Sequence, residues 1–159
     1  MQGQDTAGLA QMHQGMAGVL ATGLTLGRPG GLVCLAEAMG HTGRVAEGLR
    51  LLAEARAELE ANGQGYLLAE AYRLQGEFLL RQADAVQAEA CFQQALAIAR
   101  RQQAKSWELR AAVSLSRLWQ CQDKYAEASA LLVEVYGWFT EGFDTADLQE
   151  AKALLEELA

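Results

Sequence analysis

Apolar residues recur along this chain at spacings of three and four, and the pattern itself recurs every forty residues. Over 84–102, Ala88, Phe92, Ala95 and Ala99 share one face of a helix. Asp84 can cap its first turn, with Gln87 reaching back to it. Arg100 and Arg101 fall in the last turn, where positive charge suits the helix dipole. Forty residues earlier stand Gly48, Leu52 and Ala55; forty later, Ala128, Leu132 and Val135; eighty earlier, Gly8, Met12 and Gly15. Each set opens on a small residue followed by a large apolar one, and most close on a small one. An internal period in this range predicts a solenoid of stacked helical units.

A second set of helices lies between these. Ala36, Gly76 and Ser116 are small residues forty apart. Leu32, Tyr72 and Ala112 precede them by four, and Met39, Leu79 and Trp119 follow by three. Each of these helices ends at a turn, over 40–43, 82–84 and 120–123. One unit is therefore a helix, a tight turn and a second helix, with a small residue of the first set against a small residue of the second. A larger side chain at either place would push the helices apart.

Tyr72, Gly76, Ala88, Phe92 and Ala95 resemble the tetratricopeptide repeat family, whose first helix carries an aromatic and then a small residue and whose second carries Ala, Phe, Ala. Ala128 and Leu132 follow that pattern more loosely, and Leu32, Ala36, Gly48, Leu52 and Ala55 more loosely still. The family's terminal proline is missing from every copy, and the period exceeds the usual ~34 residues, which implies longer helices. The resemblance implies an all-α, right-handed α-solenoid of antiparallel helix pairs with a concave face that binds an extended peptide or a partner helix. The segment 136–158, YGWFTEGFDTADLQEAKALLEEL, is similar to the extreme C-terminus of large bacterial signalling proteins. In those proteins a nucleotide-cyclase or DNA-binding output domain and a regulatory ATPase domain precede a repeat array. This second resemblance implies that the chain is the array end of such a protein. The chain has no GxxxxGK[ST] loop of its own.

Taken in order, the pattern predicts one domain over 1–159. An orphan helix over 5–22 comes first, weakened by Gly8, Gly15 and Gly18 at roughly 1 kcal/mol each. By the forty-residue register its partner helix is missing, as expected for a piece of a longer array. Helix pairs follow over 30–61 (helices 30–41 and 43–61), 65–102 (65–82 and 84–102) and 106–139 (106–121, capped by Ser106, and 123–139). Pro29 stands where the first of these can start. The helix over 65–82 is apolar all round and is expected in the middle of the stack. Asp144 or Thr145 caps a last helix over 144–158, which departs from the repeat and carries Asp147, Glu150, Glu156 and Glu157 opposite its apolar face, as a capping helix should.

Composition narrows the function. One proline, few aromatics and abundant Ala, Leu, Glu, Gln and Arg point to all-α. Cys34, Cys91 and Cys121 are far apart with no CxxC or Cys/His spacing, so no zinc site is expected; reduced, buried thiols in a cytoplasmic protein are. No basic region followed by an apolar run opens the chain, and no apolar run approaches the ~20 residues of a membrane span. The net charge of −7 is uneven: residues 81–122 carry three acids and six bases, residues 123–159 nine acids and two bases. An acidic total argues against a nucleic-acid partner.

No catalytic constellation emerges. His13 and His41 lie far apart and pair with no Ser, Cys or Asp, so neither an enzyme nor a cofactor is expected. Trp107, Trp119, Trp138 and Phe139 read as core or end packing. The surface with functional potential is a stripe on the first helices: Gly30, Val33, Glu37 and His41, then Glu70, Arg73, Glu77 and Arg81, then Arg110, Val113, Arg117 and Cys121. These positions are forty apart and line up as a groove, acidic at one end and basic at the other, whose arginines would favour an acidic peptide. The competing reading makes Arg73–Glu77 and Glu77–Arg81 plain i,i+4 surface pairs. The chain is thus expected to be a non-catalytic interaction module using Glu37, His41, Glu70, Arg73, Glu77, Arg81, Arg110 and Arg117, or a spacer or sensor arm of an ATPase regulator with no ligand of its own. The bare face of the helix over 5–22, with Leu9, Met12, Met16, Val19 and Leu20, is expected to support a weak homodimer.

Overall fold

The computed structural model describes residues 27–61, 63 and 65–159, with scattered residues of 8–22. Of the helix expected over 5–22, residues 5–7, 9, 13, 16, 19 and 20 fall outside the described residues, among them His13 and, from the expected dimer face, Leu9, Met16, Val19 and Leu20. Beyond it run seven α-helices: α1 (Arg28–His41), α2 (Val45–Ala61), α3 (Leu68–Arg81, entered through the 3-10 turn Gly65–Leu67), α4 (Ala85–Gln102), α5 (Lys105–Cys121), α6 (Tyr125–Tyr136) and α7 (Ala146–Glu157). Among the described residues there is no strand. Antiparallel pairs α1–α2, α3–α4 and α5–α6 stack into a right-handed, TPR-like solenoid, and α7 closes the end as a capping helix.

The turns repeat as faithfully as the helices. Gly43, Ala83 and Asp123, forty apart, all take positive φ, at 77°, 61° and 60°. At each, the next residue's N–H reaches five residues back: Arg44 to Met39 O at 2.9 Å, Asp84 to Leu79 O at 3.0 Å, Lys124 to Trp119 O at 2.9 Å. This left-handed cap satisfies the orphan carbonyls that end the first helix. Asp84 then opens α4, accepting from the Gln87 N–H at 3.0 Å and from Gln87 Nε2 at 2.6 Å. Ser106 does not cap α5: the helix begins one residue earlier, with Ala104 at the cap and no side-chain bond there. Thr145 caps α7 by position alone; its hydroxyl instead donates to Gly142 O at 2.8 Å.

Small residues set the helix spacing by accepting large ones. The Phe92 ring, fully buried on α4, lies against Gly76 of α3. Phe78 of α3 fills the space left by Gly40 and Gly48, where any Cβ would overlap its ring. Ser116 holds α5 to α6 by donating to Ala128 O at 3.1 Å. Volumes compensate across the repeat: Gly76 goes with Phe92, while Ala36 and Ser116 go with Leu52 and Leu132, all buried.

Two expectations about packing are corrected. Trp107 and Trp119 pack against the core, but Trp138 is 58 % exposed, beneath Lys105 and edge-on to Phe139. α6 ends at Tyr136, so Trp138 leaves on a connection rather than on a helix face. The thiols are free, yet Cys34 and Cys121 are exposed and Cys91 is half-buried. Cys34 sits on the face of α1 opposite Leu32, Ala36 and Met39, and Cys121 is the last residue of α5, where packing has ended.

Candidate functional site

The first helices α1, α3 and α5 lie side by side, and α7 lies beside α5, where the first helix of a further repeat would go. Positions about one repeat apart therefore meet. Arg110 on α5 is at the centre, with Nη1 3.1 Å from Glu70 of α3, Nη2 3.7 Å from Glu37 of α1, and Nε 4.0 Å from Asp147 of α7. Arg73 donates through Nε and Nη2 to the two oxygens of Glu70, both at 2.8 Å, and through Nη1 to Glu77 at 3.3 Å. Ser114 donates to the same Glu77 oxygen at 2.7 Å, tying α5 to α3. Arg117 reaches Glu150 of α7 at 2.9 Å.

Burial grades this network. Glu70 and Arg73 are 3 % and 9 % exposed, a depth at which an unpaired charge would be very costly. Burial alone would lower the Arg73 pKa, but the hydrogen bonds and charge of Glu70, with Glu77 and Glu37 behind, outweigh it and hold the guanidinium above its ordinary value. Toward the surface, the side chains of Glu77, Asp147, Glu150 and Arg117 keep 36, 46, 46 and 57 % of their area exposed. Between α3, α5 and α7 they border an open cleft of about 570 Å³, with Val113, Leu118 and Cys121 among its other walls.

Five of the eight residues expected in the groove thus meet in one ionic network, Glu37, Glu70, Arg73, Glu77 and Arg110, while Arg117 forms a separate pair with Glu150 on the same cleft. Arg81 is drawn away, donating to the carbonyl of Gly40 and lying over Phe78 at 5.7 Å. Its turn toward α1 leaves Arg73–Glu77 as the i,i+4 pair formed along α3. His41 is exposed at the end of α1, outside the cleft lining. The division into an acidic and a basic end does not hold, because each guanidinium of the network faces a carboxylate. Sequence reasoning missed Ser114, Asp147 and Glu150. The acidic i,i+3 pair on α7, Asp147 and Glu150, was the available signal.

Away from the cleft, the buried Glu108 pairs with the more exposed Arg100 at 2.9 Å and Lys105 at 2.7 Å. Among the described residues, no group of three or more His, Cys, Asp or Glu could hold a metal ion, and no helix is long and apolar enough to cross a membrane.

No protein-family model and no curated protein matches the sequence. Solved structures do. One described as a Podosopora anserina putative kinesin light chain with nearly identical TPR-like repeats superposes with a TM-score of 0.71 at 18 % identity, over 99 % of this chain and 78 % of that one. A variant of that protein carrying one substitution gives 0.69 at 19 % identity, over 99 % and 86 %. The chain has a TPR-like fold. At such identities the likeness carries the architecture, and the side chains of the cleft are this chain's own.

Proposed function

We propose that this chain is a non-catalytic protein-interaction module that holds a segment of a partner protein against its concave face. The observation that supports this most is the cleft of about 570 Å³ between α3, α5 and α7, open to solvent and rimmed by charged side chains on an apolar floor. Its size lies within the range of specific binding sites, and stacked first helices present it on a rigid scaffold. The likeness of 136–158 to the end of bacterial signalling proteins supports a cytoplasmic role as the recognition arm of a larger regulator.

A second reading, a spacer that packs against a neighbouring domain without a ligand, draws on the internal pairing of Arg73 and Arg110, which leaves those two groups little capacity to spare. Selection from a displayed peptide library separates the two. A module yields peptides whose binding is abolished by Ala85→Trp, a substitution at the cleft lining that fills it, and is kept by Val86→Trp on the exposed outer side. A spacer yields no peptide sensitive to Ala85→Trp.

A further inference from the structure

The state of each charge in the cleft says what kind of segment it takes, and this deepens the interaction reading on which it rests. All three nitrogens of Arg73 and of Arg110 already face carboxylate oxygens within 4.0 Å, and both side chains are largely buried, at 11 and 28 % exposure. They hold the first helices in register and have little left to offer an anion. The carboxylates at the rim are also paired, Glu77 with Arg73 and Ser114, Asp147 with Arg110 at 4.0 Å and Glu150 with Arg117, but they are more accessible: each keeps more than a third of its side chain exposed. Arg117 is the one strongly exposed cation among the lining residues, and Glu150 already pairs with it.

From this asymmetry we infer that the cleft binds a basic segment of a partner protein, with a lysine or arginine side chain seated among Glu77, Asp147 and Glu150 and its aliphatic stem along Val113 and Leu118. The geometry favours a long side chain over a metal ion, since no cluster of His, Cys, Asp or Glu among the described residues is close enough to ligate one. The chain's charge of −7 steers a cationic partner toward it. Arg117 then acts as a competitor: it occupies the same carboxylate that an incoming cation would use.

The test uses three peptides of equal length in which alternate residues are lysine, glutamate or leucine. Binding is read by fluorescence anisotropy, and position by how far each peptide slows iodoacetamide alkylation of Cys121, which lines the cleft and is exposed. We expect the lysine peptide to bind and protect Cys121. Asp147→Asn with Glu150→Gln should weaken it on the order of tenfold, two exposed charge pairs being lost. Arg117→Gln should tighten it, by about two- to fivefold, through release of Glu150. Glu127→Gln with Glu141→Gln removes the same charge outside the cleft and should change little. Protection by the glutamate or leucine peptide instead, or weaker lysine binding in Arg117→Gln, overturns the basic-segment proposal and leaves the interaction module standing. Lysine binding that leaves Cys121 unprotected and responds equally to both double variants overturns it as attraction to the overall charge. If no peptide protects Cys121, the cleft is not a peptide site and the module reading falls with it.

Discussion

Adding one methyl group at Gly76 tests whether residue volumes set the helix spacing. A Cβ there would lie 2.5, 2.7 and 2.9 Å from three ring carbons of Phe92, which is fully buried and enclosed on α4. Overpacking of this kind costs about 2–3 kcal/mol. Replacing glycine inside a helix returns about 1 kcal/mol of propensity, so Gly76→Ala should lose about 1–2 kcal/mol net. For a chain of this length that is roughly 3–6 °C in Tm. Phe92→Leu alone removes buried carbon and should lose about 1–2 kcal/mol. The double variant recreates the Ala–Leu combination already present at Ala36 and Leu52, so its two losses should not add. We expect a coupling of about 1–2 kcal/mol, read from urea unfolding with unchanged m-values. Additivity within about 0.5 kcal/mol would refute the argument, because the ring and the missing Cβ would then not share one space.

Ala83→Gly should stabilise by about 0.5–1 kcal/mol, because Ala83 holds a left-handed turn with φ of 61°; chemical denaturation checks it, with Gly43 as the position where the repeat already has the glycine. Glu108 is 3 % exposed; burial would raise its pKa, but the hydrogen bonds and charges of Lys105 and Arg100 outweigh this and hold it below the ordinary 4.5. Its contribution is therefore full above pH 4.5 and is lost as pH falls through the lower folded value. Glu108→Gln should cost about 1–3 kcal/mol at neutral pH and flatten the decline of stability in acid, as followed by urea melts across pH. Ellman's reagent should titrate Cys34 and Cys121 in the folded protein, with Cys91 slow until unfolding, since burial pushes its thiol upward; a third fast thiol would contradict the packing around α4.

The forty-residue period carried most of the fold, because helix pairing, turn chemistry and the small-residue contacts all repeat with it. Its spacing alone also places Glu70 and Arg110 in one line, and Glu37, Glu77 and Arg117 in the next. What it could not supply is the partner of each charge. Arg81 and Arg73 stand two turns apart on one helix, yet Arg81 leaves the stripe because the side-chain-free backbone at Gly40 lets it reach a carbonyl. By pattern, Asp147 and Glu150 belong to the polar outer face of a cap, because the connection over 137–145 breaks the register that would set them opposite Arg110 and Arg117. The exposure of Trp138 follows from the same break.

The unequal volumes at equivalent positions bear on how the chain avoids error while folding. A repeat array has a hazard of its own: a helix can dock one whole repeat out of place, or onto the neighbouring molecule's copy, and still find a partner of nearly the right shape. Here such a slip would bring Phe92 against the Cβ of Ala36 or Ser116, and leave a void between Gly76 and Leu52 or Leu132. Both mistakes cost energy, one by collision and the other by emptiness. The Gly76–Phe92 pair thus acts as an address for the middle repeat, setting its berth apart from the two look-alikes on either side.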